Sequence, residues 1–109
     1  IEKIGYKVVR MQDGDFYSAV YMEYSGPDVQ YMIGKYVIPN KCHGPLCVFS
    51  DKEAALKFAK RHFMCRVFLC DYIPSSKMSV WAYGGVTLLC GLPKYTRLAK
   101  KVKLIEECK

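Results

Sequence analysis

Alternating apolar and polar positions cover much of this chain and predict strands. The run YKVVRM (6–11) is β-branched and aromatic, and Asp13-Gly14 just after it is a strong hairpin signal. FYSAVYMEY (16–24) has the pattern of the returning strand. VQYMIGKYVI (29–38) predicts a third strand, in which Gly34 marks a bulge or bend. Together these runs predict an antiparallel meander.

A helical pattern replaces the alternation in SDKEAALKFAKRHF (50–63). Ser50 and Glu53 have the spacing of a capping box, in which each side chain satisfies a backbone donor of the other residue. The apolar residues recur at helical spacing and the charged residues occupy the opposite face. The apolar face is centred on Ala55, Phe58 and Ala59, with Leu56 and Phe63 on one flank. We therefore expect one amphipathic helix, at about residues 51–62, packed on a sheet.

The remaining apolar runs predict more strands around this helix. LCVF (46–49) precedes it, and CRVFLCDYI (65–73) is apolar on both alternating faces, which is typical of a central strand. SVWAY and VTLLC flank Gly84-Gly85 as a second hairpin. AKKVKLIEE (99–107) reads as a closing strand, although a helix would also accommodate it. The predicted fold class is α+β, a single globular domain over residues 1–109, with a mostly antiparallel sheet of about six or seven strands.

Composition changes the picture mainly through charge. With 51% hydrophobic residues, the 109-residue chain can bury its own core without metal or disulfide support. No apolar run approaches the roughly 20 residues that span a bilayer, so we expect no membrane insertion. The formal net charge of +7 favours polyanionic partners such as nucleic acid or an acidic protein surface. The cations are most concentrated in PKYTRLAKKVK (93–103).

The cysteines indicate a reducing compartment rather than a disulfide scaffold. Their number, six, would permit three disulfides in a secreted chain. Four of them lie inside apolar runs, where cysteine behaves as a small hydrophobe: Cys47, Cys65, Cys70 and Cys90. We therefore expect free thiols and an intracellular, cytoplasmic protein. Cys65 and Cys70 would point to opposite faces of one strand, and we expect no metal site.

No catalytic motif appears, and this leaves a binding surface as the leading prediction. The two histidines, His43 and His62, do not form a nucleophile–base arrangement by spacing, and no phosphate-binding glycine loop or other cofactor motif is present. Tyrosines on a sheet, beside lysines, can form a surface that binds single-stranded nucleic acid. Tyrosines are also common in β-strands simply because they pack well there. The candidate binding residues are Tyr17, Tyr21, Tyr31, Lys35, Lys94, Arg97, Lys100, Lys101 and Lys103.

Two resemblances add expectations. The succession YKVVR, FYSAVY, GKYVIP, GPLCVFSDKEAALKFA, RVFLCDYIPS and VKLIEE resembles a family of small uncharacterised microbial and viral proteins, which implies no catalytic residue. VFSDKEAALKFA followed by an apolar strand is also similar to the helix-and-strand core of ADP-ribosyltransferase-like domains. That likeness would make Arg10, Tyr36 and Glu106 catalytic residues around NAD, although the serine-rich second strand of those domains is missing.

These observations predict a non-enzymatic module of unknown function that contacts nucleic acid or a protein through a basic, tyrosine-bearing surface. The alternatives are the NAD-binding enzyme and a structural or accessory subunit.

Overall fold

Nine strands and one α-helix make up the computed structural model, which describes residues 1–19, 29–39, 45–82 and 85–108. In chain order the elements are β1 (Lys3–Gln12), β2 (Asp15–Ser18), β3 (Gln30–Tyr31), β4 (Tyr36–Val37), β5 (Leu46–Phe49), α1 (Lys52–Lys60), β6 (Cys65–Pro74), β7 (Ser79–Ala82), β8 (Gly85–Leu88) and β9 (Thr96–Cys108). A 3-10 turn, Leu89–Gly91, follows β8. The predicted α+β class, with a mostly antiparallel sheet and one helix packed on it, is confirmed.

Four strands of the seven-stranded sheet close into a ring. β1 pairs with β6, β6 with β9, β9 with β5 and β5 with β1, all antiparallel. The β5–β1 seam consists of one residue pair, Tyr6 and Phe49. β2 and β3 continue the sheet beyond β1, and β4 continues it beyond β9. β6 is paired on both sides along most of its length, so another chain cannot add a strand to it.

The two faces of this sheet carry two separate cores. The enclosed face holds the larger core: Val9, Val29, Tyr31, Leu46, Val48, Phe68, Cys70, Tyr72, Ala99, Val102 and Leu104. The outer face packs under α1 through Val8, Phe49, Ala55 and Val67. Val8 and Val9 show the principle, because successive strand residues point to opposite faces and both faces are covered here. A continuous β-branched run is what such a strand requires.

The first predicted hairpin is confirmed, and the predicted third strand is wrong in one respect. Asp13 and Gly14 have φ angles of 52° and 83°, the two positive values that a tight hairpin turn between β1 and β2 needs. At Gly34, where φ is 81°, the run 29–38 breaks into two short strands that pair at different places. β3 pairs with β2, whereas β4 pairs with β9. Residues 20–28, which include the end of the predicted second strand, lie outside the described part.

The helix begins one residue later than its predicted capping box. The carboxylate of Asp51, not the hydroxyl of Ser50, accepts the backbone N–H of Ala54 at 2.9 Å. Ser50 instead contacts the residue that precedes β9: its backbone N–H donates to the carbonyl of Tyr95 at 2.9 Å. Since the helix ends at Lys60, Phe63 falls beyond it and is 88% exposed rather than packed on the apolar flank.

Replacing the cap should separate the two candidates for that role. We expect Asp51→Ala to lower the free energy of unfolding by about 1 kcal/mol, within the roughly 0.5–2 kcal/mol that such caps contribute, because the N–H of Ala54 would lose its partner. Ser50→Ala should cost less, since its hydroxyl makes only a 3.3 Å contact with the Tyr95 carbonyl. Urea unfolding of both variants measures this, and a larger loss for Ser50→Ala would contradict it.

The later strands match their predictions closely. β6 is central, pairing with both β1 and β9. The run 99–107 forms a strand and not a helix, and Val102 and Leu104 are buried as its alternation predicts. The strand, β9, is longer than this run, at 13 residues. β7 and β8 form the second hairpin as a separate two-stranded sheet. The predicted strand VTLLC ends at Leu88, where the 3-10 turn begins.

Candidate functional site

Two lysines of β9 lie beside one aromatic side chain, Tyr36, on the outer face of the sheet. Tyr36 of β4 lies opposite Lys103 of β9, and Lys101 is two residues away on the same strand face. The Nζ atoms of Lys101 and Lys103 lie 4.7 Å and 4.8 Å from the centroid of the Tyr36 ring. A tyrosine ring attracts cations at this distance, so it holds two ammonium groups close together in spite of their mutual repulsion.

A β-bulge adds a further cation to this surface. In the β6–β9 ladder, Ile73 pairs with Lys101 and Pro74 with Ala99, so Lys100 has no partner on β6. The extra residue is exposed. We call Lys100, Lys101 and Lys103, together with the exposed Lys35 beside β4, the β9 basic strip. Arg97 is also exposed, but it lies opposite Val48, on the face of β9 that carries Ala99. The four lysines of the strip were all predicted from the sequence as binding residues, as was Arg97, but the role of Tyr36 in positioning two of the lysines was not.

Two carboxylates border the same cluster. The Asp71 carboxylate lies 3.8 Å from the Nζ of Lys103, an open ion pair on a partly exposed surface. The hydroxyl oxygen of Tyr36 is shielded from water and makes no hydrogen bond of good geometry within the described residues, although Glu2 is nearby. Burial of this oxygen, with the charges of Glu2 and Asp71, raises the pKa of Tyr36 to about 12. The phenol is therefore neutral at physiological pH, and its ring interacts with the lysines as a π system.

The other candidate binding residues are divided between surface and core. Tyr17 is half-buried, with the Arg10 guanidinium carbon 5.6 Å from its ring centroid. Tyr31 is only 1% exposed, so its prediction as a contact residue is wrong: the pairing of β3 with β2, opposite Phe16, turns it towards the larger core. Lys94 is exposed beside Tyr95, away from Tyr36 in the fold. Tyr21 lies outside the described residues.

The residues of the enzyme alternative do not share a cleft. Arg10 pairs with Cys65 at one end of the β1–β6 ladder. Tyr36 is opposite Lys103, whose β6 partner Asp71 pairs with Ile4 at the other end of β1. Ile4 and Arg10 are six positions apart, and a strand rises about 3.3 Å per residue, so Arg10 and Tyr36 are roughly 20 Å apart along the strands alone. Glu106 pairs with Leu69, between these ends.

One buried cation that the sequence did not predict, Lys7, lies inside the ring. Its side chain is 6% exposed, and its Nζ donates to the backbone carbonyl of Cys47 at 2.6 Å. The same nitrogen lies 5.1 Å from the Tyr31 ring centroid. The hydroxyl oxygen of Tyr31 has no hydrogen-bond partner of good geometry in the described ranges, with Lys7 and Ser18 beside it. The apolar run YKVVRM gave no sign that its lysine points inward.

Lys7 and Tyr31 influence each other's pKa inside the enclosed core. Burial acts to lower the pKa of Lys7, but the phenol of Tyr31 and the thiol of Cys47 outweigh it, and the net direction is upward. Burial raises the pKa of Tyr31, and the neighbouring ammonium of Lys7 partly opposes this rise. Lys7 joins β1 to β5 and is a structural contact.

The described cysteines are free thiols, and the predicted division of one strand's cysteines between two faces is confirmed. Cys70 is fully buried in the enclosed core, whereas Cys65 packs under the helix. Cys90 differs from its prediction as a core residue, because the 3-10 turn after β8 leaves it exposed.

Alkaline pH should destabilise the protein through Cys70. Burial raises the pKa of its thiol from 9.0 to about 12, so the unfolded chain loses this proton first as pH rises. The thiol therefore favours folding below pH 9.0, and this contribution is lost as the pH climbs towards 12, by about 1.4 kcal/mol per pH unit. We expect Cys70→Val to flatten the fall in unfolding free energy between pH 9 and 11. Cys90→Val should leave it unchanged; equal slopes for wild type and Cys70→Val would contradict the assignment.

Comparison with known proteins adds no assignment: no family model matches this chain, and neither does any curated protein or solved structure. Among the described residues there is no group of three or more histidine, cysteine or carboxylate side chains that could hold a metal ion. The helix in the part of the chain that the structure describes is too short to cross a bilayer.

Proposed function

We propose that this protein is a non-enzymatic binding module that contacts single-stranded nucleic acid through the β9 basic strip. The observation that carries the proposal is the pair of ammonium groups that the Tyr36 ring holds on the outer face of the sheet. Two cations at fixed positions on a rigid strand suit successive phosphates of an extended backbone, because little ordering is left to occur on binding.

The position of the strip supports this proposal. α1 covers the outer face near Val8 and Val67, and its main contacts lie with β1, β5 and β6. Lys100 lies at the β9 bulge and Lys35 directly precedes Tyr36, and both are exposed, so a strand of phosphates could contact them together with Lys101 and Lys103. Tyr36 acts here as the group that positions the lysines, and base stacking on it is not required.

A salt titration tests the proposal. Fluorescence anisotropy of a labelled single-stranded oligonucleotide should show binding that weakens steeply with salt, each phosphate contact adding about 0.7 to the slope of log K against log salt. Lys100→Gln with Lys101→Gln should reduce that slope by about 1.4. At roughly 0.2–1 kcal/mol for each exposed contact, the double variant should bind about two- to thirtyfold more weakly.

The matched control removes the same charge elsewhere. Lys52 and Lys60 are exposed lysines at the two ends of α1, so Lys52→Gln with Lys60→Gln changes net charge equally without touching β9. If this control weakens binding as much as the β9 variant, only net charge matters and the strip is not the site. An absence of oligonucleotide binding at low salt would refute the proposal altogether.

A protein partner is the second candidate, favoured by exposed apolar side chains around the strip. Ile4 lies next to Asp71 in the β1–β6 ladder and is 65% exposed, and Ile38, two residues after Tyr36, is 67% exposed. Cations bordered by isoleucines would suit an acidic protein surface with an apolar centre. Tighter binding of polyglutamate than of the oligonucleotide would favour this candidate, and light scattering would reveal the self-association expected of a structural subunit.

A further inference from the structure

A groove beside α1 has the composition of a small-ligand site, and none of its residues belongs to the β9 basic strip. Its volume is about 370 Å³, within the range of roughly 300–1,000 Å³ that is typical of small-molecule pockets. One helix face and the Pro93–Tyr95 segment before β9 form its walls, and Phe49 of β5 contributes to its lining. We call it the α1 groove.

Aromatic groups line this groove from both sides. The Phe49 and Phe58 rings are 5.5 Å apart, and the His62 imidazole lies 4.3 Å from Phe58 at an interplanar angle of 33°. On the opposite side lies Tyr95, which is 41% exposed and has a φ of 71°. The backbone N–H of Ser50 donates a hydrogen bond to its carbonyl and so fixes its backbone position. A planar ring entering the groove would therefore meet aromatic side chains from both walls.

Charge is distributed unevenly along the groove. Near the start of the helix Asp51 and Glu53 line it, and Asp51 is already engaged as the helix cap. Towards the helix end the charged lining residues are the cations Lys57 and Arg61, and on the opposite wall the Nζ of Lys94 lies 5.1 Å from the Tyr95 ring centroid. Positions 53 and 61 are about 12 Å apart along a helix, at about 1.5 Å per residue. The groove thus suits a ligand with an anionic group at one end and hydrogen-bond donors at the other.

We propose that the α1 groove binds a purine nucleoside 5′-phosphate, either free or at the 5′ end of a strand. The phosphate lies against Lys57 and Arg61, since guanidinium groups bind phosphate oxygens in a bidentate manner. The base lies between Tyr95 and Phe58, and its exocyclic amine donates to the Glu53 carboxylate. This proposal does not depend on the β9 basic strip, because the two surfaces share no residue.

Calorimetric titration with adenosine 5′-monophosphate and adenosine tests the phosphate contact. Saturable binding of the nucleotide, weakened at least tenfold by Lys57→Gln with Arg61→Gln, would support the proposal. Tyr95→Asn should weaken it similarly, because asparagine tolerates the positive φ but removes the ring. The control Lys52→Gln with Lys60→Gln should change affinity less than twofold, and Lys100→Gln with Lys101→Gln should behave likewise, which separates this site from the strip.

A 5′-phosphorylated tetranucleotide and its 5′-hydroxyl counterpart distinguish the two sources of the ligand. Both are measured in the Lys100→Gln, Lys101→Gln background, so that the β9 basic strip contributes less. A preference for the phosphorylated strand over its hydroxyl counterpart and over the mononucleotide would assign the groove to strand ends, and tighter binding of the mononucleotide would assign it to a free nucleotide. Three results would overturn the proposal: no saturable binding of any phosphorylated probe, equal affinity for adenosine and its monophosphate, or an equal loss in the Lys52/Lys60 control. Circular dichroism of each variant confirms that it is folded.

Discussion

Phe68→Ala is expected to lower the free energy of unfolding by about 3–5 kcal/mol, the range for deleting a buried phenylalanine. Phe68 is 2% exposed and lies on β6, the strand that joins β1 to β9 within the ring. Its ring packs edge-on against Phe16 with centroids 5.0 Å apart. The closed ring limits how far the surrounding strands can move inward, so the cavity should remain largely unfilled.

The control for this deletion is Phe63→Ala, because that side chain is 88% exposed and contributes little burial. Chemical denaturation of both variants should give a loss for Phe63→Ala within about 0.5 kcal/mol of zero. Equal losses at the two positions would mean that the larger core does not lie where the structure places it.

Gly5→Ala should also be strongly destabilising, by roughly 1–3 kcal/mol or more, as expected of overpacking. A Cβ atom at position 5 would approach the Tyr72 ring to 2.9 Å and the Phe49 carbonyl oxygen to 3.0 Å. The ring of Tyr72 is itself buried, and the Phe49 oxygen belongs to the backbone of β5. Relief of the clash would require β5 to move away from β1, where the two strands are joined at one residue pair.

Gly91→Ala is the matched control. The nearest atom to a Cβ at that position is the Thr87 methyl carbon at 3.8 Å, an ordinary contact. Thermal unfolding should therefore show a clear decrease in Tm for Gly5→Ala and little change for Gly91→Ala. A Gly5→Ala protein as stable as wild type would show that the β1–β5 seam is looser than the structure indicates.

Much of the β9 basic strip could be found from sequence, because it follows from local pattern. The alternation of Lys101 and Lys103 with Val102 and Leu104 identifies an amphipathic strand whose lysines face outward. The same rule failed for Tyr31, since a two-residue strand carries no periodic signal and its buried face is chosen by the sheet that it joins. Lys7 was missed for the corresponding reason: a lysine between apolar residues is normally expected at the surface.

The α1 groove could not be predicted from any single segment. Its helix side was visible in the pattern of residues 50–63, but its other wall, Pro93–Tyr95, is more than 30 positions away in the sequence. The Ser50–Tyr95 hydrogen bond brings the two segments together, and it lies directly beyond the last β5–β9 residue pair, Phe49 and Thr96. Long-range pairings of this kind leave no periodicity in the sequence.

By itself the sequence determined the local features of this protein: the hairpin turn at Asp13-Gly14, the amphipathic helix, the central strand at 65–73 and the basic character of β9. These follow from backbone preferences and from side-chain alternation, which act over a few residues. Tertiary structure alone decided the closure of the ring, the separation of β3 from β4 and the meeting of Tyr36 with Lys101 and Lys103. Each of these depends on which strands become neighbours, and that choice is made by burying the larger core as a whole.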